Sequence, residues 1–561
     1  MAALSLKIRL LAAPLVLLAG TAASAADVVA FDWFEYTGRD AAFDSPLPEG
    51  SYRNPVLAGY YPDPSVTRAG SRYFLVNSTF THYPGIPVHE SRDLVHWRLI
   101  GHVLARPSDM RFDGLDVSRG VFAPSIRFHD GVFYVLNTLV DAGGNFLVTA
   151  RNPAGPWSAP QWLEQVDGID PSLFFDDDGK AYILNNGVPA YAPLYDGHRA
   201  IWMQEFDIAT RKLVGPRRVL VDGGTDLAKH PVWIEGPHLY RVDGWYYLMC
   251  AEGGTGPGHS EVVFRARKPW GPYAPYSGNP ILTQRDLPAD RAGAISNAGH
   301  ADLVQMRDGT WWAVFLASRP YEGDRYNTGR ETFLLPVTWK DGWPVILRHG
   351  QAIPTVQAGP GAMSAAAHEA DHDADTLAGN FTLRDEFDGQ ALAPEWLQVY
   401  PPSLRWHALA GGTLRIEPQP VNLDARRNAS FLARRQQHQH FDASTQFAPP
   451  ATAGVAAGLA AFQNQDHWYF LGTRRTAAQL QVFLERDAGA APQLAASVAI
   501  AAPASIRLRI SGDGGRYSFW YDAGAGWQPL REGDDATILS TQDAGGFVGT
   551  VLGPFARQET P

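Results

Sequence analysis

A weak pattern that recurs five times between residues 63 and 314 constrains this chain more than any other feature, because such self-similarity marks folds built from stacked copies of one unit. The copies open Asp63-Pro64-Ser65-Val66, Ala123-Pro124-Ser125-Ile126, Asp170-Pro171-Ser172-Leu173, Gly236-Pro237-His238-Leu239 and Gly299-His300-Ala301-Asp302-Leu303. Each leads through a turn into an aromatic-apolar strand, such as Tyr73-Phe74-Leu75-Val76, Phe133-Tyr134-Val135-Leu136 or Trp311-Trp312-Ala313-Val314. Turns at Asp130, Asp178, Asp243 and Asp308 carry Asp-Gly, a strong hairpin signal. Helical periodicity is scarce between the copies, and each is long enough for about four short strands. Five such units predict an all-β, five-bladed β-propeller over residues 51–358. The first strand of a propeller blade lines the central channel, so the repeat-start residues Asp63, Ala123, Asp170, Glu235 and His300 are expected to face one axis. A lone Asp before Pro is an ordinary turn former. Three acids in register around one axis are harder to attribute to turns.

Beyond residue 359 the composition shifts to Ala, His, Asp and Gly, which reads as a linker over 359–380. His368 and His372 fall there and read as solvated linker rather than metal ligands. Short strand-like stretches then follow, among them Trp468-Tyr469-Phe470-Leu471 and Tyr517-Ser518-Phe519-Trp520-Tyr521, predicting a second all-β unit, a β-sandwich, over 381–561. At the other end, Lys7 and Arg9, an apolar run from Leu10 to Leu18, and Ala23-Ser24-Ala25 have the order of a secretory signal over 1–25, followed by a lead-in over 26–50. The expected destination is the periplasm or the extracellular space. The apolar run is too short for a membrane anchor. The single cysteine, Cys250, has no disulfide partner and lies in an apolar run, which reads as a buried structural thiol. A net charge of -11 without any Lys/Arg run argues against a nucleic-acid partner and for a neutral substrate. The 12% aromatic content suits strand packing and the stacking of sugar rings equally.

Hydrolysis of a glycosidic bond needs one carboxylic acid to protonate the leaving oxygen and one carboxylate to handle the nucleophile, roughly 6.5–9.5 Å apart where water attacks directly. Glu235 follows Trp233 and Ile234, whose apolar character would raise its pKa, so it suits the acid. Asp63, between Pro62 and Pro64, suits the base. Asp170 is then a third acid that orients the proton donor and keeps its pKa high by repulsion.

The stretches Tyr60-Tyr61-Pro62-Asp63-Pro64-Ser65, Gly168-Ile169-Asp170-Pro171-Ser172-Leu173, Trp233-Ile234-Glu235-Gly236-Pro237 and Asn297-Ala298-Gly299-His300-Ala301-Asp302 resemble glycoside hydrolase family 43. The resemblance implies Asp63 as general base, Asp170 as pKa modulator, Glu235 as general acid, and inversion at the anomeric carbon. It also implies a calcium or sodium ion near His300 in the channel, a residue that reads equally as a satisfied core histidine; the chemistry itself requires no cofactor. Asn77-Ser78-Thr79-Phe80 with Tyr83-Pro84-Gly85, and Gly329-Arg330-Glu331-Thr332-Phe333, are similar to the β-xylosidase group of that family. By that likeness Phe80 stacks on the terminal sugar, Arg330 binds its hydroxyls, His300 lies beside it, and Phe547, in a loop of a concanavalin-like jelly roll, walls the pocket. On composition alone Phe80 reads as core and Arg330 as half of a surface ion pair. Phe122 stands where relatives often have Trp, and the Pro-rich segment Asn185 to His198 is long; both touch the outer subsites. The implied activity is exo-acting, inverting release of xylose from the non-reducing end of β-1,4-xylo-oligosaccharides. An α-L-arabinofuranosidase, or an enzyme with both activities on arabinoxylan or arabinan, is the alternative, and a non-catalytic sugar-binding propeller a remoter one. The leader reading has a direct check: mass spectrometry of the exported protein should place its first residue at Ala26, and an intact Lys7-to-Leu18 stretch would refute cleavage.

Overall fold

A computed structural model of the protein describes residues 28–361, 378–476 and 479–559. The signal segment with its cut at Ala26, and His368 and His372 of the linker, lie outside the described residues.

Asp-Gly pairs close the hairpins. Asp130 and Gly131 have φ of 48° and 76°, and Asp243 and Gly244 have 48° and 74°, so both central residues of each two-residue turn are left-handed. That is the geometry whose twist matches right-twisted strands. Asp341-Gly342, at 51° and 71°, makes a further such turn between outer strands.

Five antiparallel sheets result. The first holds Ser65–Ala69, Arg72–Val76, Gly85–Ser91 and Arg98–Leu104. The second is built on Ser125–His129, Val132–Val140 and Gly144–Ala150, the third on Ile169–Phe175, Ala181–Gly187, Ala200–Asp207 and Lys212–Asp222. The fourth is built on Glu235–Val242, Trp245–Glu252 and Ser260–Ala266, and the fifth on Ser296–Gln305, Trp311–Ser318, Glu331–Lys340 and Trp343–Val345. They are the blades of a five-bladed propeller. The ring closes through a clasp in which Ser51–Arg53 pairs with Val356–Ala358, so the lead to the first blade is bonded to the exit from the fifth. Cys250 is buried and unpaired, in the middle of the fourth blade.

The second unit is a sandwich of two sheets. One comprises Arg434–Arg435, Val551–Gln558, Val455–Asn464, His467–Arg475, Leu480–Ala488 and Gln493–Ile500. The other contains a strand that the chain divisions above assign elsewhere. Val29–Gly38, in the lead-in, pairs with Phe381–Asp385, Leu414–Ile416 and His440–Phe447, so it is an interior strand of the C-terminal sandwich. Its inward residues Phe31 and Phe34 are fully buried. Sequence alternation marks a strand there but carries no information about which sheet receives it.

The sandwich and the propeller share one apolar cluster, in which Tyr60, Phe80 and Val121 of the propeller pack with Phe431, Phe462, Trp468 and Phe555 of the sandwich. Arg435 of the sandwich donates from Nε to the Tyr60 carbonyl (2.6 Å) and lies 4.3 Å from the Tyr61 ring centroid. Among the described residues no helix is long and apolar enough to cross a membrane. Phe34→Ala should lower stability by about 3–5 kcal/mol, the usual cost of emptying a buried Phe site; a denaturant midpoint unchanged within error would show the lead-in strand to be dispensable.

Candidate active site

Left-handed backbone recurs where the innermost strands begin. Asp63 has φ 50°, Asp170 55°, Gly236 57° and His300 54°, whereas Ala123 of the second blade is not in this conformation. In three of these blades the ladder slips at that point, between Ile169 and Ser172, between Glu235 and His238, and between Ser296 and Asp302. Bulges of this kind re-aim side chains. The shared left-handed φ sets the register: the residue equivalent to Asp63, Asp170 and His300 is Gly236, with which the fourth copy opens, and Glu235, expected at that position, stands one residue earlier. Gly236 has little alternative, because a Cβ there would lie 2.8 Å from the His300 ring.

A cavity of about 390 Å³ opens onto these positions, and Asp63, Asp170, Glu235 and His300 all line it. Phe80, Phe122, Arg330 and Phe547 line it as well. Arg330 is only 3% exposed, so the surface-ion-pair alternative does not hold. Its Nη1 donates to Asp63 Oδ1 (2.6 Å), and its Nη2 donates to the Phe547 carbonyl (3.3 Å). Phe80 and Phe547 stack at 5.8 Å between centroids with Phe122 edge-on to both, so the three form one aromatic wall. Phe547 reaches that wall from the sandwich, and its amide donates to Ser118 Oγ (2.8 Å) on the propeller. Trp233 lines it too, and so do Arg119 and Thr255, which were not singled out from sequence. Ser78, which donates to Asp63 Oδ2 (2.5 Å), was visible only as part of the Asn77-to-Phe80 stretch.

The three carboxyls are buried but differ in surroundings. Burial acts to raise Asp63, yet Arg330, His300 and the Ser78 hydroxyl outweigh it and hold the carboxyl below its ordinary value. Asp170 is pushed up to about 6 by burial, with the Asp63 charge adding to the shift and His300 opposing it. One Asp170 oxygen accepts from the Gly236 amide (3.2 Å), which ties it to the backbone next to Glu235. Glu235 is raised well above the carboxylate range by burial first, then by Asp170 and Asp63. Asn186 Nδ2 donates to the Ile234 carbonyl (2.6 Å) and fixes the strand from the other side. One cavity thus holds a carboxyl whose surroundings favour the ionised form and another whose surroundings favour the protonated form.

The residues present do not build the ion site that the resemblance implies near His300. No three His, Cys, Asp or Glu side chains among the described residues converge to hold a metal. Two residues beyond His300, Asp302 is already satisfied by protein donors: Ser65 Oγ (2.6 Å), the Val66 amide (3.0 Å), Arg127 (2.8 and 3.1 Å) and Tyr240 Oη (2.5 Å). That part of the channel has a guanidinium as its cation.

Known proteins resemble this chain along most of its length. A family profile described as "Glycosyl hydrolases family 43" matches residues 52–344, and one described as "Beta xylosidase C-terminal Concanavalin A-like domain" matches 384–561. A protein named "Xylosidase/arabinosidase" from Butyrivibrio fibrisolvens is 40% identical over 421 residues, 74% of this chain and 78% of that protein. A "Non-reducing end alpha-L-arabinofuranosidase" from Bacteroides ovatus is 35% identical over 519 residues, 91% of this chain and 92% of that protein. The crystal structure of a GH43_12 protein retrieved from a capybara gut metagenome superimposes with a TM-score of 0.88 at 37% identity, covering 94% of this chain and 99% of that one.

Replacing Gly236 tests the register. Gly236→Ala combines a strained left-handed residue with a clash against His300, whereas Gly244→Ala carries a similar strain at a turn where the nearest atom is 3.8 Å away. Both should melt at lower temperature, but only Gly236→Ala should lose turnover, by about tenfold or more. Equal turnover in the two variants would refute a positional demand at 236.

Proposed function

Because the chain belongs to glycosyl hydrolase family 43, we propose that its glycosidase activity is the exo-acting, inverting release of xylose from the non-reducing end of β-1,4-xylo-oligosaccharides, performed by Asp63, Asp170 and Glu235. The observation that carries this reading is the opposite displacement of two acids in one cavity, Asp63 held low by Arg330 and Glu235 held high by burial and its acidic neighbours.

In the proposed cycle Asp63 accepts a proton from a water whose oxygen forms a bond to the anomeric carbon. The glycosidic C–O bond breaks, and Glu235 supplies the proton that the leaving oxygen takes up. Asp63 ends protonated and Glu235 ionised, and exchange with solvent restores both. Asp170 acts through its neighbour: its grip on the Gly236 amide and its negative charge keep Glu235 in place and protonated. Arg330 is shared between Asp63 and the sugar hydroxyls, and the Phe80, Phe122 and Phe547 wall supplies a flat apolar face for the ring. The cavity is of the size that encloses one or two sugar residues, which suits exo action on a neutral chain end. The relatives' names include arabinosidase and arabinofuranosidase beside xylosidase, so initial rates on the two aryl glycosides decide the preference. The order of basic, apolar and small residues over 1–25 supports export and therefore a reaction outside the cytoplasm.

The pH profile should be bell-shaped. Activity falls at low pH as Asp63 takes up a proton, below the range of an ordinary carboxyl, and falls at high pH as Glu235 loses its own. The decisive test is dependence on the leaving group. Glu235→Gln should lose roughly 10²-fold more on xylobiose, whose leaving alkoxide needs a proton, than on an aryl xyloside of low leaving-group pKa. Asp63→Asn should lose equally on both, because water activation is common to them. Proton NMR of fresh product should show α-xylose first; β-xylose first would overturn inversion, and leaving-group dependence in Asp170→Asn instead of Glu235→Gln would exchange those two roles.

A further inference from the structure

The sandwich strands Val551–Gln558, His467–Arg475 and Leu480–Ala488 turn one face into the sandwich core and the other away from it. Along that outer face Phe470, Phe483 and Phe555 join the cluster shared with the propeller. Further along the same face lie Arg474, Glu485 and Arg557, flanked by the sandwich's own segments at Pro420 to Asn422 and Pro492 to Leu494. They line a second cavity, of about 410 Å³, that has no residue in common with the catalytic one.

Four charges on this face form a closed ring. Arg474 donates to Glu485 (3.4 Å) and Glu559 (3.4 Å), and Arg557 donates to Glu485 (2.7 Å) and Glu559 (3.2 Å). Arg474 Nε also donates to Gln481 (2.9 Å), and Arg557 Nη1 to Asn422 (2.6 Å). The two guanidinium groups rest on rings beneath them, Arg474 at 4.5 Å from the Phe483 centroid and Arg557 at 5.3 Å from that of Phe470. Long side chains are thereby fixed in place before anything binds, which lowers the entropy lost on binding. The cavity edge is Leu494, 53% exposed.

The chemistry of this floor selects its ligand. Two positive and two negative groups cancel, so neither an anion nor a cation is drawn to it. Guanidinium donors alternate with carboxylate acceptors, whereas a sugar hydroxyl can donate and accept at once, so a run of vicinal hydroxyls can satisfy both. Leu494 offers an apolar contact for the C–H face of the ring, and the volume lies in the range of small-ligand pockets. We propose that this face of the sandwich is a second, non-catalytic binding site for a neutral oligosaccharide. It stands independently of the catalytic assignments and would keep the enzyme on a polymer while the propeller pocket works on chain ends.

Calorimetric titration of xylohexaose into full-length Glu235→Gln protein tests this, with Arg557→Met or Leu494→Asp added on that background. Two sites are expected, and either added substitution should weaken one of them about tenfold, the effect of losing a charged hydrogen-bond partner or the apolar edge, while leaving the other unchanged. Leu494 is exposed, so its variant decides the matter should Arg557→Met fail to fold. A single site, or two sites indifferent to both substitutions, would overturn the proposal. Inorganic phosphate serves as the anionic probe: heat from phosphate that Arg557→Met abolishes would overturn the neutral-ligand assignment. Failure of the catalytic reading would appear separately, as hydrolysis of xylohexaose by Glu235→Gln during the titration.

Discussion

The buried ion pair between Asp63 and Arg330 is the contact on which the rest of the site depends. A carboxylate confined to a cavity is costly unless a partner compensates for the water it has lost. Arg330 provides that compensation, and its own position is held from several directions. Its carbonyl accepts from the Tyr61 amide (3.1 Å), two residues before Asp63. Its neighbour Glu331 accepts from the Gly59 amide (2.6 Å) and from Arg319, and Arg319 in turn donates to Asp40 of the lead-in (2.7 Å) and to the Gln437 carbonyl of the sandwich (2.9 Å). The first blade, the fifth blade and the sandwich therefore all bear on one carboxylate.

That pair also explains how three acids in one cavity come to differ. Arg330 lowers all three, but it bonds directly only to Asp63, and for Glu235 its influence ranks below burial and the two aspartates. Fixing one negative charge at Asp63 makes a second and third more expensive to create nearby, which adds to the upward shift of both Asp170 and Glu235. The proposed base is thus responsible for part of the acidity that the proposed acid needs, and a single cation sets the polarity of the arrangement.

Much of this was legible in the chain. The repeat starts announced the blades, the Asp-Gly turns announced their hairpins, and Asp63, Asp170 and Glu235 stood out because propeller geometry brings the starts of different repeats to one axis. Two features were not legible, each because it depends on pairing rather than pattern. The strand Val29–Gly38 shows its alternation plainly, but its partners lie more than 340 residues away, as the Thr37 to Thr382 contact shows. Arg330 offered no sign that its partner would be Asp63, 267 positions earlier.

The location of the site on the ring follows from the same long-range contacts. A propeller is a circle made from an open chain, and its seam lies where the first and last blades meet. Here the seam is joined by the short clasp of Ser51–Arg53 with Val356–Ala358, by the Tyr52 hydroxyl on the Leu334 carbonyl (2.5 Å), and by Ser65 on Asp302 (2.6 Å). Asp63 lies on one side of it and Arg330 on the other, so opening the ring would strip the carboxylate of its partner. The sandwich bridges this seam from outside, holding Tyr60 and Ala58 on the first-blade side through Arg435 and Gln437, and Arg319 on the fifth through the Gln437 carbonyl. Its Gly549 packs so closely on Gly329 that a Cβ at either would lie within 2.9 Å of the other's backbone. A domain that closes the ring also lays Phe547 over the cavity that the ring creates, so ring closure and pocket closure are one structural event.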